Sequence, residues 1–458
     1  MLLYKNTHKI ARSLTLFTIF STASYFYYKT HLPPKQKTYH ISIVAAHNEK
    51  IKELVVPFLK SAFKKKFNAN LEVEWVKHGG QNTNVKLINA KFKKNKGTTC
   101  GYDIIWGGGT IIFDKLEKQQ RLAPLLLDQQ TKENVPETLS NTKIRTQNWI
   151  ATSLSSFGMI YNKAILKKLK RKPPTKWQDL ADPNLFQQIV NVDPCQSSNI
   201  WTIYAMILES YGWEKGWELL VKIAANSIVF LDKSSSATSS IIQGVGLIAP
   251  SNDFYAKSTI YIHGEKNLDF VIPLGETIIN ADPIAILKGA PNEEKVIKFC
   301  IASILSPSFQ QLLMLKKNTP NGPRTATIGR IGINKKAYEK VNKSHIASAI
   351  NPFEVKKKDF IQLDVQKAGQ QYPVVSAIFK AYCITAHEKL KKSWQVIIQN
   401  GCKQEDVKLL AHPPFTEAEL QTLAAQWHNP LHRQKLIIQW NNRAMKRYQS
   451  IIAKYPNT

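Results

Sequence analysis

The sequence predicts an α/β fold built on a parallel sheet and extended by a helical C-terminal region. Three observations carry this prediction. A strand, a polar loop and an amphipathic helix recur as units through the first 120 residues, the order that a parallel sheet with right-handed crossovers requires. Trp149 to Asn162 reads as one extended segment, and its small residues Ala151, Ser153, Ser155 and Gly158 suit a strand that passes between two lobes. From residue 350 onward the chain becomes helical and tryptophan-bearing.

Taken in order, His40 to Ala46 is an apolar strand, followed by the polar loop His47-Asn48-Glu49. Ile51, Leu54, Val55, Phe58, Leu59, Ala62 and Phe63 then recur at three and four residues, the apolar face of a helix with a kink near Pro57. Leu71 to Val76 is the second strand, ending in Gly79-Gly80 and the amide-rich Gln81-Asn82, with a helix from Thr83. The third unit is Tyr102-Asp103-Ile104-Ile105-Trp106-Gly107-Gly108-Gly109-Thr110. Its apolar run lacks alternation, as in a sheet covered on both faces. Its glycines free the backbone for a tight turn and open main-chain N–H groups to a ligand. On this stretch alone, a tight turn with no ligand stays equally open.

Beyond the extended segment, Pro173-Pro174 makes a turn before the short helix Trp177-Gln178-Asp179-Leu180, and Ile189 to Val192 is a buried strand. Ser197 and Ser198 stand just before the apolar helix Ile200 to Tyr211, as helix caps or as donors to a ligand. Ser234 to Ser240 is a serine-rich helix start. Val245 to Ala249 is a strand that delivers Asp253, Phe254 and Tyr255, and Ile278 to Asp282 is a strand running into Asp282-Pro283. Glu293 to Leu305 is a helix, and Ser306-Pro307 starts another. In the C-terminal region, Val374, Val375, Ile378, Phe379 and Tyr382 form an apolar face, and Gly401 is a stop. Thr416 and Glu419 make a capping box with Phe415 and Leu420 as its staple, and Asn429-Pro430 starts a last helix running towards Lys454. Packing against a lobe is expected of this region, with a docking surface for a membrane partner as the alternative.

The chain of 458 residues is 43% apolar, enough for substantial cores, and its formal charge of +30 favours anionic partners or surfaces. The lysines are spread along the chain and no nucleic-acid motif organises them, so a basic nucleic-acid binder is only an alternative. Cys100, Cys195, Cys300, Cys383 and Cys402 lack metal or redox spacing, and no disulfide is assigned. His387, His412, His428 and His432 do not share one helix face at ligand spacing, so no metal site is expected. No Gly-x-Ser-x-Gly elbow, His-Glu-x-x-His or Walker lysine occurs, which leaves an uncharacterised enzyme as a further alternative. Lys5, Lys9 and Arg12 precede the apolar run Leu14 to Tyr28, the order of an export signal. Ser21, Thr22 and Ala23 offer a cleavage site, while Tyr25, Phe26, Tyr27 and Tyr28 look like an interfacial belt, so cleavage and retention as an anchor both stay open.

The order of segments resembles the type 2 periplasmic solute-binding proteins of ABC importers, in the branch of ferric-ion, thiamine and sugar-phosphate binders. The resemblance lies in Tyr102 to Gly108, in Gly158-Met159-Ile160-Tyr161-Asn162, in Trp177 to Leu180, and in Asp193-Pro194 with Ser197-Ser198. Asp282-Pro283-Ile284-Ala285-Ile286-Leu287-Lys288-Gly289-Ala290-Pro291, and Leu305-Ser306-Pro307 with Gln310, complete it, so that it spans residues 38 to 340. It implies two lobes that close around a solute and hand it to a membrane permease, without catalysis or cofactor. The implied layout is a signal peptide or anchor with a linker over 1–37, lobe 1 over 38–155, lobe 2 over 156–275, a return to lobe 1 over 276–345 and the extension over 346–458. The implied solute contacts are His47, Asn48, Gly80, Gln81, Gly108, Gly109 and Thr110, with Ser155 and Ser156, and on the facing wall Ser197, Ser198, Asp253 and Tyr255. Ferric binders carry adjacent tyrosines where this chain has Phe254-Tyr255, which weighs against iron. Carboxylates are too few in these loops for a polyamine. Glycine amides, hydroxyls and helix N-termini suit a small anionic or phosphorylated solute. A monomer in the periplasm or other extracytoplasmic space is expected.

Overall fold

The computed structural model describes residues 36–456 apart from 46, 48 and 78–80. The expected export signal falls outside the described residues. The opening units form as anticipated: β1 (Thr38–Ala45), α1 (Glu49–Phe67), β2 (Asn70–Val76), α2 (Gln81–Lys94), β3 (Ile104–Trp106) and α3 (Thr110–Lys118). β1 lies between β2 and β3 and is parallel to both. Ile104, Ile105 and Trp106 are all buried, which explains why β3 carries no polar alternation.

β4 (Trp149–Asn162) runs the whole length expected of a connecting strand, and each of its 14 residues is buried. Its first half pairs antiparallel with β9 (Ile279–Ile286), which in turn pairs with β3. Its second half pairs with β7 (Ile248–Asn252) and β8 (Leu268–Val271). β7 continues through β5 (Ile189–Val192) to β6 (Ser227–Leu231), so the sheet order is β2-β1-β3-β9-β4-β7-β5-β6, with β8 also on β4. The helices of this second half are α4 (Ser198–Tyr211), α5 (Trp213–Asn226), α6 (Ser234–Ile242) and α7 (Asp253–His263), and α8 (Glu294–Leu305) and α9 (Pro307–Met314) return to the first. One hydrophobic core lies around Ile43, Trp106, Ile284 and Phe309, and another around Met159, Val190 and Trp217.

Two boundaries differ from expectation for local reasons. The strand anticipated at Val245 to Ala249 begins later, at Ile248, because the Val245 N–H still closes α6 onto the Ser240 carbonyl and Gly244 turns at φ 74°. β9 does not stop at Asp282-Pro283 but continues to Ile286, with a register shift between Asp282 and Pro283 that accommodates the missing proline N–H. Pro283 still accepts a hydrogen bond from the Gly107 N–H at 2.8 Å.

The C-terminal region forms α10 (Val365–Phe379), a π-helical segment Lys380–Thr385, α11 (His387–Gln399), α12 (Gln404–Ala411), α13 (Glu417–Gln426) and α14 (Pro430–Ala453). Thr416 and Glu419 cap α13 reciprocally, and Asn429 caps α14. Val374, Phe379, Trp394, Trp440 and Tyr448 are buried in the same core as Met159 and Trp217, so the extension packs on the second half of the sheet. Each such side chain is worth about 1.5–3 kcal/mol of hydrophobic burial.

Candidate functional site

The parallel strands of the first half deliver their loops to one edge. Ala45 of β1 is in register with Trp106 of β3, so His47 and the Gly107–Gly109 turn emerge side by side. Gly107, Gly108 and Gly109 take φ of 88°, 103° and 82°, a region that L side chains avoid. At Gly107 a Cβ would also lie 2.8 Å from His47 Cε1 and 3.3 Å from Asp282 Oδ1, so glycine is the residue that fits. Gly109 is the N-cap of α3 and makes no side-chain cap bond, and Thr110 opens that helix. A Cβ at Gly109 would stand 3.5 Å from the Asn280 amide. Asn48 and Gly80, and the side chain of Gln81, lie outside the described residues.

His47 packs edge-on against Trp106 at 4.8 Å, with Nε2 3.6 Å from Asp282 Oδ2. Burial pushes its pKa down to about 4 despite the nearby Asp282 carboxylate, so the imidazole is neutral at neutral pH. The charge partner of Asp282 is Arg330, a residue that the sequence reasoning missed. Arg330 is 8% exposed, donates to the Asp282 carboxylate and to Ser155 Oγ, and places its guanidinium 5.2 Å from the Phe254 ring centroid. Its signal in the sequence is a single arginine inside the apolar stretch Ile328 to Ile333, a position that a charge tolerates only when paired.

Ser156 and Asp253 spend their polar groups on each other. The Ser156 N–H and hydroxyl both donate to Asp253 Oδ2, at 2.9 and 3.0 Å, which ties the first residue of α7 to the middle of β4. Asp253 Oδ1 is buried and finds no hydrogen-bond partner among the described residues, and burial pushes this carboxyl up to about 6. Tyr255 packs on Phe254 at 5.3 Å, and burial raises its phenol pKa. His47, the glycine turn, Ser155, Ser156, Asp253 and Tyr255 are thereby linked through Asn280, Asp282, Arg330 and Phe254.

Ser197 and Ser198 belong to another group. Ser197 N-caps α4 by accepting from the Ile200 N–H, and its Oγ lies 2.9 Å from Oγ of Ser234, the first residue of α6. Ser198 is exposed. α3, α4, α6 and α7 all begin at these residues, presenting glycine amides, hydroxyls and the positive ends of helix dipoles. Arg330 is neutralised by Asp282, so the chemistry on offer is hydrogen-bond donation more than bare charge.

Comparison with known proteins agrees with this architecture. Residues 102–328 match the family described as bacterial extracellular solute-binding protein. The phosphoglycerate transport regulatory protein PgtC of Salmonella typhimurium is 26% identical over 214 residues, 46% of this chain and 51% of that protein. The chain thus spans about half the length of the curated relatives it matches. The fold superposes on the periplasmic binding protein AfuA of Actinobacillus pleuropneumoniae with exogenous fructose-6-phosphate bound (TM-score 0.53, 17% identity, 78% of this chain and 98% of that one). It also superposes on the apo ferric ion-binding protein A of Pasteurella haemolytica (TM-score 0.54, 14% identity, 74% and 96% covered). Residues 102–328 thus match the bacterial extracellular solute-binding family, and the chain as a whole has the two-lobed fold of the type 2 periplasmic binding proteins.

Proposed function

We propose that this protein captures a small anionic or phosphorylated solute between its lobes, outside the cytoplasm, and delivers it to an ABC permease. The observation that carries this reading is the start of α3, α4 and α6 at glycine, serine and threonine groups, on both halves of the sheet. Each helix terminus adds about 0.3–1 kcal/mol towards an anion, and up to about 2 when partly buried. Micromolar affinity needs about 8 kcal/mol, so both walls have to close on the solute. The names of two similar proteins, one for phosphoglycerate transport and one holding fructose-6-phosphate, support a phosphate ester.

Ferric, thiamine and polyamine ligands are the competing readings within the same fold. A single Tyr255 beside Phe254, with its phenol pKa raised by burial, is a poor start for a ferric site. Thermal-shift and calorimetric titration with fructose-6-phosphate, 3-phosphoglycerate and inorganic phosphate test the proposal against ferric citrate, thiamine and spermidine. Stabilisation by a phosphate compound is expected. A response confined to the second set overturns the reading, and turnover of the bound compound seen by native mass spectrometry would make the protein an enzyme.

A further inference from the structure

The loop that presents Ser197 is organised by one carboxylate. Asp193 Oδ1 accepts the Cys195 N–H at 2.8 Å, and the Asp193 carbonyl accepts the Gln196 and Ser197 N–H groups at 3.0 and 3.1 Å. Its other oxygen, Oδ2, points to the C-terminal extension and accepts from Lys380 Nζ at 2.7 Å. The Asp193 side chain is 6% exposed and that of Lys380 44%.

Further contacts join the same pieces. The Tyr372 hydroxyl lies 3.3 Å from the carbonyl oxygens of both Pro194 and Cys195. Cys195 Sγ donates to the Ser376 carbonyl at 3.4 Å, and the Tyr372 ring packs on Trp201 of α4 at 5.1 Å. The α-helix gives way to a π-helical segment at Lys380, the residue that reaches Asp193. Such widened turns re-aim the side chains that follow a regular helix.

We propose that the C-terminal extension is a strut for the solute-binding loop, in which Lys380 and Tyr372 are positioning residues that hold Asp193 to Ser197 in the geometry that meets the solute. The affinity part of this proposal rests on the reading of Ser197 and Ser198 as solute contacts. A buried carboxylate that loses its ammonium partner is an uncompensated charge. It turns towards water, and that change loosens the turn it caps. Lys380 also cancels a negative charge beside a place where an anion has to sit.

The test uses the full chain as wild type, Lys380→Met, Lys380→Arg and Tyr372→Phe. Hydrogen exchange at the Cys195, Gln196 and Ser197 amides reads the loop directly, with β1 as internal control. Fructose-6-phosphate titration reads affinity. Lys380→Met is expected to speed exchange at these amides roughly tenfold and to weaken fructose-6-phosphate roughly tenfold, the cost of a lost charge-assisted hydrogen bond, with β1 unchanged. Lys380→Arg should restore both to within about threefold, because the charge is kept. Tyr372→Phe removes only a hydroxyl and should give the same direction to a smaller extent. Unchanged loop exchange in Lys380→Met overturns the strut, and faster exchange with unchanged affinity overturns its link to binding. If the wild type fails to bind fructose-6-phosphate, the solute reading falls and the exchange measurement alone decides the strut.

Discussion

Arg330 keeps two buried groups where burial alone would expel them. Removing one partner of a buried ion pair leaves an unpaired charge and costs about 3–5 kcal/mol. Arg330→Met should therefore lose about that much stability in urea unfolding, and a loss below about 1 kcal/mol would show that Asp282 is solvated by other means. His47 and Asp253 make a second prediction, in opposite directions. His47 is lowered from 6.5 to about 4, so its unfolded form binds the proton more readily. Its contribution is full above pH 6.5 and is lost as pH falls through about 4. Asp253 is raised from 3.8 to about 6, so its native form holds the proton, and its contribution is full below 3.8 and lost as pH rises through about 6. Between these limits the two slopes oppose each other, each by up to about 1.4 kcal/mol per pH unit. His47→Gln should become less stable from pH 4.5 to 6 and Asp253→Asn more stable over the same interval, as urea midpoints would record. Parallel pH profiles for wild type and both variants would refute the assignment.

The glycine turn between β3 and α3 separates strain from crowding. Gly107 has both a φ of 88° and a Cβ position 2.8 Å from His47, whereas Gly109 has a φ of 82° with open contact at 3.5 Å. Gly107→Ala should cost about 1–3 kcal/mol beyond Gly109→Ala in thermal unfolding, and Gly109→Ala should act more on solute affinity than on the fold. Equal losses in stability would mean that the turn relaxes as a unit. These elements were readable in the sequence because their signals are local: positive-φ glycines, three- and four-residue periodicity, and serine or asparagine caps. β4 was readable end to end because small and apolar residues run through it without a break. The later start of β7, the passage of β9 through Pro283 and the π-helical segment at Lys380 were not, because each depends on what packs against it. Arg330 was hidden for the same reason, since its partners Ser155 and Asp282 lie 175 and 48 residues away.

Over the whole molecule, β4 belongs to both cores while the helices α10 to α14 of the C-terminal extension belong to one. Trp394 shows how tightly. Its Nε1 donates to Asn226 Oδ1 at 2.7 Å, and the Asn226 amide donates in turn to the Leu180 and Asp182 carbonyls. The extension therefore holds the end of α5 against the loops of the second half, and Trp217, which packs on Phe379 and Tyr382, would meet water without it. Truncating a buried tryptophan to alanine costs about 3–5 kcal/mol. In Trp394→Ala that cost should fall on the second half alone, since the first core contains no residue of α10 to α14. The expected result is a two-step unfolding curve, with hydrogen exchange in β5 and α5 released first and β1 protected until the second step. A single transition shifted as a whole would mean instead that β4 couples the two halves so strongly that neither stands without the other, and that any movement of one half against the other has to bend this strand and not merely swing about it.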